Sequence, residues 1–173
     1  MISCYIGMGA NLDDPQKQLQ EALRALRRLP DSHLADCSSF YASKPMGPQD
    51  QPDYVNAVAR LDTRLAPLAL LDALQAIEQE QGRVRKSERW GARTLDLDLL
   101  LYGDLVVNSE RLTLPHYGMR EREFVLHPLL EIAPELVLPD GQLLNNLARQ
   151  CPKNGLMVIR QRSDIWNSLP GSV

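Results

Sequence analysis

Asp96 and Asp98 stand one residue apart in the run Leu95-Asp96-Leu97-Asp98-Leu99-Leu100-Leu101. Period-two alternation predicts a strand with leucines 95, 97, 99 and 101 on one face and both carboxylates on the other. Their Cα atoms then lie about 6.5–7 Å apart. Two carboxylates at that spacing can hold a pair of Mg²⁺ ions about 3.5–4 Å apart, the arrangement that moves phosphoryl groups. Like charges on one face of an apolar strand repel, so the pair calls for compensation. Taken alone, the motif reads more simply as the acidic outer face of a half-buried edge strand.

The segment just before it changes the balance. Between Gly82 and Thr94 the chain carries Arg83, Arg85, Lys86, Arg89 and Arg93 against one acid, Glu88, with Trp90 and Gly91 beside them. Such a run has no core-facing stripe and predicts a mobile surface loop; by itself it reads as a solvated charge run. Joined to the two aspartates, it gives guanidinium forks on one side of a polyphosphate and metal ligands on the other. The combination points to a nucleotide-polyphosphate site.

Other candidates are weaker. No G-x-x-x-x-G-K-[ST] sequence is present, so a nucleotide is not held by a P-loop. Gly7-Met8-Gly9 follows a predicted strand and suits a tight turn or close helix packing better than a phosphate cradle. His33 reads as a surface residue at a helix-to-strand turn. His116 and Tyr117 lead into Arg120 and Arg122, which fits either further phosphate donors or a structural histidine. Tyr54 and Asn56 share one strand face, a ring and an amide that suit a flat heterocycle, although an ordinary half-exposed pair has the same pattern. There is no Ser-His-Asp grouping and no clustered His/Cys zinc set.

The elements that must position these residues follow from periodicity. A first strand is predicted over Ile2 to Gly9. A helix follows, with Asn11 or Asp13 as cap, Pro15 in its first turn, and Leu19, Ala22, Leu23 and Leu26 as its stripe. Leu34 to Lys44 reads as a second strand. After it comes a turn-rich loop, Pro45-Met46-Gly47-Pro48-Gln49-Asp50-Gln51-Pro52. Tyr54 to Arg64 is a third strand. A helix opens at Pro67, turns Leu70, Leu71, Leu74 and Ile77 inward, and ends near Gly82. The order βαββαβ predicts an α+β, ferredoxin-like split βαβ fold, an antiparallel sheet with both helices on one face. Short strands at Leu105 to Val107 and Arg111 to Leu114 make a C-terminal hairpin, and helices follow over Phe124 to Ile132 and Leu143 to Gln150. Residues 1–150 form one domain in this reading. Residues 151–173 form a weakly patterned, partly disordered tail.

At 173 residues the chain can bury a core without staples. Its formal net charge of −3 argues against non-specific nucleic-acid binding by the whole chain. Cys4, Cys37 and Cys151 are scattered, with no C-x-x-C pair, which suits reduced thiols in a cytoplasmic setting. No signal peptide, membrane span or lipidation motif is visible.

Four blocks, YIGMGANL, FYASKPMGPQDQPDYVNA, QGRVRKSERWGARTLDLDLLLYG and LTLPHYGMREREFVLHPL, resemble the 6-hydroxymethyl-7,8-dihydropterin pyrophosphokinases of folate biosynthesis. The resemblance runs from about Tyr5 to Leu147, and the RWGARTLDLDLLLYG block is highly specific. It implies transfer of the β,γ-diphosphoryl group of ATP to the pterin hydroxymethyl group, with release of AMP. It also implies two Mg²⁺ ions on Asp96 and Asp98, with Arg83 and Arg93 as catalytic contacts to the polyphosphate. Implied nucleotide neighbours are Gln75, Glu78, Arg85, Trp90, Leu99, Arg111, Thr113, His116, Tyr117 and Arg122. Implied pterin contacts are Ser43, Pro45, Met46, Gly47, Tyr54, Asn56, Trp90 and Phe124, with Tyr54 and Phe124 as stacking rings. Ser43 stands where a threonine is common, and Lys44 and Glu123 replace commonly uncharged residues. The expected partners are the two small substrates, with no nucleic acid and no membrane, and the expected state is a monomer.

Two rivals from other classes fit less well. An RNA-binding module of the same topology would carry aromatics on its central strands, where this chain has aspartates and leucines. A two-metal nuclease would need further acidic ligands and would leave the residues around Tyr54 without a purpose.

Overall fold

The computed structural model describes residues 1–44, 53–82 and 95–169. The first half contains β1 (Ile2–Ala10), α1 (Pro15–Arg27), β2 (Ser32–Cys37), β3 (Phe40–Ser43), β4 (Tyr54–Thr63) and α2 (Pro67–Gly82). Then come β5 (Asp96–Tyr102), β6 (Val107–Asn108), β7 (Thr113–Leu114), α3 (Glu123–Ile132), α4 (Leu144–Gln150), β8 (Met157–Arg160) and α5 (Arg162–Asn167). The main sheet runs β5-β1-β4-β3-β8, with β2 also paired to β4, and its pairs are antiparallel. This is the ferredoxin-like order expected from βαββαβ, extended by one strand.

Alternation builds the two faces. Cys4, Ile6, Met8 and Ala10 of β1, with Leu97 and Leu99 of β5, bury against Leu19, Ala22, Leu23 and Leu26 of α1 and Leu70, Leu74 and Ile77 of α2. Each fully buried leucine contributes about 1.5–3 kcal/mol, so this layer carries much of the stability. The other face holds a second core, Val58, Leu100 and Leu101 against Val125, Leu126 and Leu129 of α3 and Leu144 and Ala148 of α4. The sheet is thus covered on both sides, with the two expected helices together on one of them.

Four expectations need correction. The cap of α1 is Asp14, whose carboxylate accepts from the Lys17 amide at 3.4 Å, in place of Asn11 or Asp13. The strand expected over Leu34 to Lys44 is two strands. Between them Ser38 takes over the ladder: its N–H donates to the Val58 carbonyl at 2.8 Å and its Oγ accepts from the Val58 amide at 2.9 Å.

The third correction concerns β5. Tyr5 lies opposite Leu101 but Ile6 lies opposite Leu99, so Leu100 is an extra residue, a β-bulge. Alternation holds from Leu95 to Leu99 and then slips. Leu101 joins Leu100 in the second core, and Tyr102 returns to the first.

Finally, the supposed tail is structured through Leu169. β8 pairs with β3, and α5 buries Ile165, with Leu169 just beyond it, against the first core. Arg162 fixes this segment, its guanidinium on Asp36 at 2.6 Å and over the Trp166 ring at 5.2 Å, while its backbone N–H donates to Ser39 Oγ at 3.0 Å. Ser39 in turn binds Glu131 of α3 through its N–H (2.8 Å) and Oγ (2.7 Å), and the Tyr41 hydroxyl donates to the same carboxylate at 2.7 Å.

Candidate active site

β1 and β3 end where β4 and β5 begin, so one end of the sheet gathers Gly9, Ser43, Tyr54 and Asp96. A cleft of about 170 Å³ opens there, floored by Gly7, Gly9, Asn56, Asp96 and Asp98 and walled by Tyr54, Phe124, Arg122, Ser43 and Lys44. The floor follows from strand register. Asn56 lies opposite Gly9, and Gly9 opposite Asp96; the next row is Val58, Gly7 and Asp98. Asn56 and Asp96 are therefore two strand spacings apart, about 9.5 Å.

The glycines explain the open floor. A Cβ on Gly9 would stand 2.9 Å from the Asn56 amide nitrogen, so only glycine lets that carboxamide lie across the strand. The same amide is held from its other end, because Ser43 Oγ donates to Asn56 Oδ1 at 2.6 Å in a buried bond. This leaves the Asn56 NH₂ to face the cleft as a donor. Neither the tight turn nor the close helix packing expected at Gly7 and Gly9 is found: both lie within β1, and their nearest neighbours are side chains of the adjacent strands, Leu100 at Gly7 and Asn56 at Gly9.

Around the aspartates, the Leu97 amide between them donates to Glu78 Oε2 at 2.7 Å, tying β5 to α2. The bulge brings up His116, whose N–H donates to the Leu100 carbonyl at 2.9 Å. His116 Nδ1 accepts from the Gly118 amide at 3.1 Å, so the neutral ring carries its proton on Nε2, 4.0 Å from Asp98 Oδ1. Burial, the largest influence, pushes the imidazole below the ordinary histidine range; Asp98 pulls it up and Arg122 pushes it down. The ring is neutral near pH 7 and does not cancel the Asp98 charge.

A ladder of rings leads from there to the wall. His116 and Tyr117 stack with centroids 4.6 Å apart, and the Arg122 guanidinium lies 5.5 Å from the Tyr117 centroid and 5.9 Å from that of Phe124. Contacts of this kind are worth about 0.5–2 kcal/mol each.

The structure brings together Ser43, Tyr54, Asn56, Asp96, Asp98, Arg122 and Phe124, with His116 and Tyr117 beside them. It places others apart. Arg111 pairs with Asp72 at 2.5 Å and donates to Gln75 at 3.2 Å on an exposed face of α2. Thr113 lies in β7, and the Leu99 side chain is buried in the first core. Pro45, Met46, Gly47, Arg83, Arg85, Trp90 and Arg93 lie outside the described residues. The lining residues Met8, Lys44, Ala57 and Val125 were not among the expected contacts. For Lys44 the adjoining KPMGP motif was the available signal.

As a donor set, Asp96 and Asp98 offer hard oxygens on a floor with no side chains at its two glycine positions. Among the described residues no group of three or more His, Cys, Asp and Glu side chains surrounds a metal position. Two carboxylates without a protein cage fit Mg²⁺, which keeps several waters and shares substrate phosphate oxygens. They do not fit a structural zinc.

The model of the 7,8-dihydro-6-hydroxymethylpterin-pyrophosphokinase family matches residues 5–134, and the chain belongs to that family. It is an enzyme of the pyrophosphokinase type. A 2-amino-4-hydroxy-6-hydroxymethyldihydropteridine pyrophosphokinase of Haemophilus influenzae is 60% identical over 150 residues, covering 87% of this chain and 93% of its own. One of the same name from Pseudomonas aeruginosa is 56% identical over 152 residues, covering 88% and 93%. Among solved structures, Plasmodium falciparum HPPK-DHPS superposes with a TM-score of 0.69 at 13% identity, over 86% of this chain. That likeness speaks for the fold, and this chain spans only 44% of the longer one.

Proposed function

We propose that the enzyme transfers the diphosphoryl group of ATP to the hydroxymethyl group of 6-hydroxymethyl-7,8-dihydropterin, in a Mg²⁺-dependent reaction that yields AMP. The product, the pterin diphosphate, belongs to tetrahydrofolate biosynthesis. The observation that carries this reading is the row Asn56–Gly9–Asp96. It sets a heterocycle-reading amide one bare strand away from the first of two phosphate-side carboxylates.

In this reading the pterin lies between Tyr54 and Phe124. Asn56 offers its NH₂ to a ring acceptor, and Ser43 holds that amide in orientation. Pro45, Met46, Gly47 and Trp90 complete the pocket by family resemblance. Two Mg²⁺ ions would be held by Asp96 and Asp98, and when bound they neutralise phosphate oxygens and the leaving AMP. The pterin hydroxyl oxygen bonds to the β-phosphorus. The bond from that phosphorus to the oxygen bridging the α-phosphorus breaks, its electron pair leaves on AMP, and the hydroxyl proton passes to water. The barrier is met chiefly by alignment and charge neutralisation. Arg122, anchored by two rings in the cleft wall, is assigned to the boundary between pterin and phosphates, and Nε2 of His116 stands 4.0 Å from Asp98 Oδ1. Arg83 and Arg93 are assigned to the polyphosphate as catalytic contacts, with Arg85, Gln75, Glu78, Leu99, Trp90, Arg111, Thr113 and Tyr117 as nucleotide neighbours. We infer a cytoplasmic monomer; among the described residues no helix is long and apolar enough to cross a membrane.

The direct test is AMP formation from ATP and Mg²⁺. It should depend strictly on added 6-hydroxymethyl-7,8-dihydropterin and stop when EDTA is in excess. AMP formed equally well without the pterin, or release of ADP in its place, would reject the proposal.

A further inference from the structure

Gly118 has φ −98° and ψ −4°, a conformation open to any residue. Nothing in its backbone calls for glycine. Space does. A Cβ at this position would stand 2.5 Å from Cζ, 2.6 Å from Nε and 2.7 Å from one terminal nitrogen of Arg122, and those are its three nearest atoms. The missing side chain therefore serves one neighbour alone, the guanidinium of Arg122.

We propose that Gly118 is a positioning residue whose bare Cα is the seat of the Arg122 guanidinium, holding that cation at the wall of the cleft. The sequence between the two residues makes the seat. A 3₁₀ turn over Met119–Glu121 returns the chain so that residue 122 comes back over residue 118. The backbone of Arg122 is fixed in its turn, because its carbonyl accepts from the Val125 and Leu126 amides at the start of α3. With the backbone fixed, only the side-chain torsions decide where the charge goes. Two sides of the guanidinium are taken by the Tyr117 and Phe124 rings, and Gly118 supplies the third. A long side chain with many rotamers becomes a preorganised cation, so an arriving phosphate does not have to order it.

This inference rests on the proposed pyrophosphokinase reading for its kinetic consequence, but not for its geometry. The experiment is a double-variant cycle of Gly118→Ala and Arg122→Ala, read by pterin-dependent AMP formation and by thermal melting. Gly118→Ala should lower kcat/KM about three- to tenfold when Arg122 is present, the range expected for losing one preordered side chain. In the Arg122→Ala background the same change should cost less than about twofold, and the double variant should melt no lower than Arg122→Ala alone, since alanine suits this φ. If Gly118→Ala by itself fails to fold while the double variant folds, the clash with Arg122 is shown directly. Equal losses in both backgrounds, or no loss in either, would overturn the seat. A wild-type enzyme without pterin-dependent turnover would instead reject the pyrophosphokinase reading, and the melting arm would still report on Gly118.

Discussion

Two aspartates on the same face of the sheet, at its opposite ends, are treated in opposite ways. Asp62 near the end of β4 is gripped by Arg60 through two bonds of 3.2 and 3.1 Å and accepts a third from Ser3 Oγ at 3.0 Å. Its carboxyl is held below the usual carboxylate range, chiefly by the Arg60 bond. Asp98 stands across from a glycine, and the imidazole 4.0 Å away is kept neutral. The second core lies between the two ends, so neither charge compensates the other at short range. An acid already matched by a guanidinium has its charge committed to stability. An acid that, among the described residues, faces a bare strand and a neutral ring keeps its charge available, as the proposed role in holding Mg²⁺ requires.

The sharpest way to break this contrast is to remove each carboxylate in turn. Asp98→Ala should lower turnover by about a thousandfold or more, since charge stabilisation of several kcal/mol is lost. Its melting temperature should barely move. Asp62→Ala should do the reverse, leaving pterin-dependent AMP formation within about twofold while lowering the melting temperature. Turnover that survives Asp98→Ala, or that collapses with Asp62→Ala, would erase the distinction.

A smaller effect separates the two halves of the active end. Phe124→Ala should weaken pterin binding by about 1–3 kcal/mol, by analogy with bases stacked on aromatic rings, and leave nucleotide binding nearly unchanged. Calorimetry with each ligand separately decides this; matched losses would mean that the ring serves both.

The smallest effect concerns pH. Because the folded-state pKa of Asp62 is depressed, its contribution to stability is present above the unfolded-state value near 3.9 and disappears as pH falls through the folded value. Asp62→Asn should therefore cost on the order of 1 kcal/mol at pH 7, a drop of about 2–4 °C, and the difference from wild type should close below about pH 4. A gap that stays constant to pH 3 would show that the ion pair is not what Asp62 contributes.

Alternation alone was enough to read Asp96 and Asp98 onto one face, and apolar spacing was enough for the stripes of α1 and α2. The bulge was not readable, for a definite reason. Leu99, Leu100 and Leu101 are identical, so a change of face within them leaves no trace in a hydrophobicity pattern. The split between β2 and β3 is hidden similarly, because a serine side chain takes over ladder bonds that a continuous strand would make. The C-terminal strand and helix have almost no local signal. They are held by bonds to Asp36 and Ser39, more than a hundred residues earlier in the chain. In the site, Asn56 and Tyr54 were visible as a pair, but the part of Gly9 was not, since it depends on what lies across the strand.

The extra residue at Leu100 can be seen as a change of parity. Before it, even-numbered positions of β5 look toward the cleft side and odd ones toward α1 and α2; after it the rule reverses. The carboxylates are written in the first parity, and the anchor for His116 sits at the point of reversal. Losing Leu100 would restore plain alternation with both carboxylates, Leu101 and Tyr102 still in their layers, but it would remove the carbonyl that receives His116. What the extra residue adds is therefore an attachment, a point on β5 where the segment carrying His116 is tied beside Asp98.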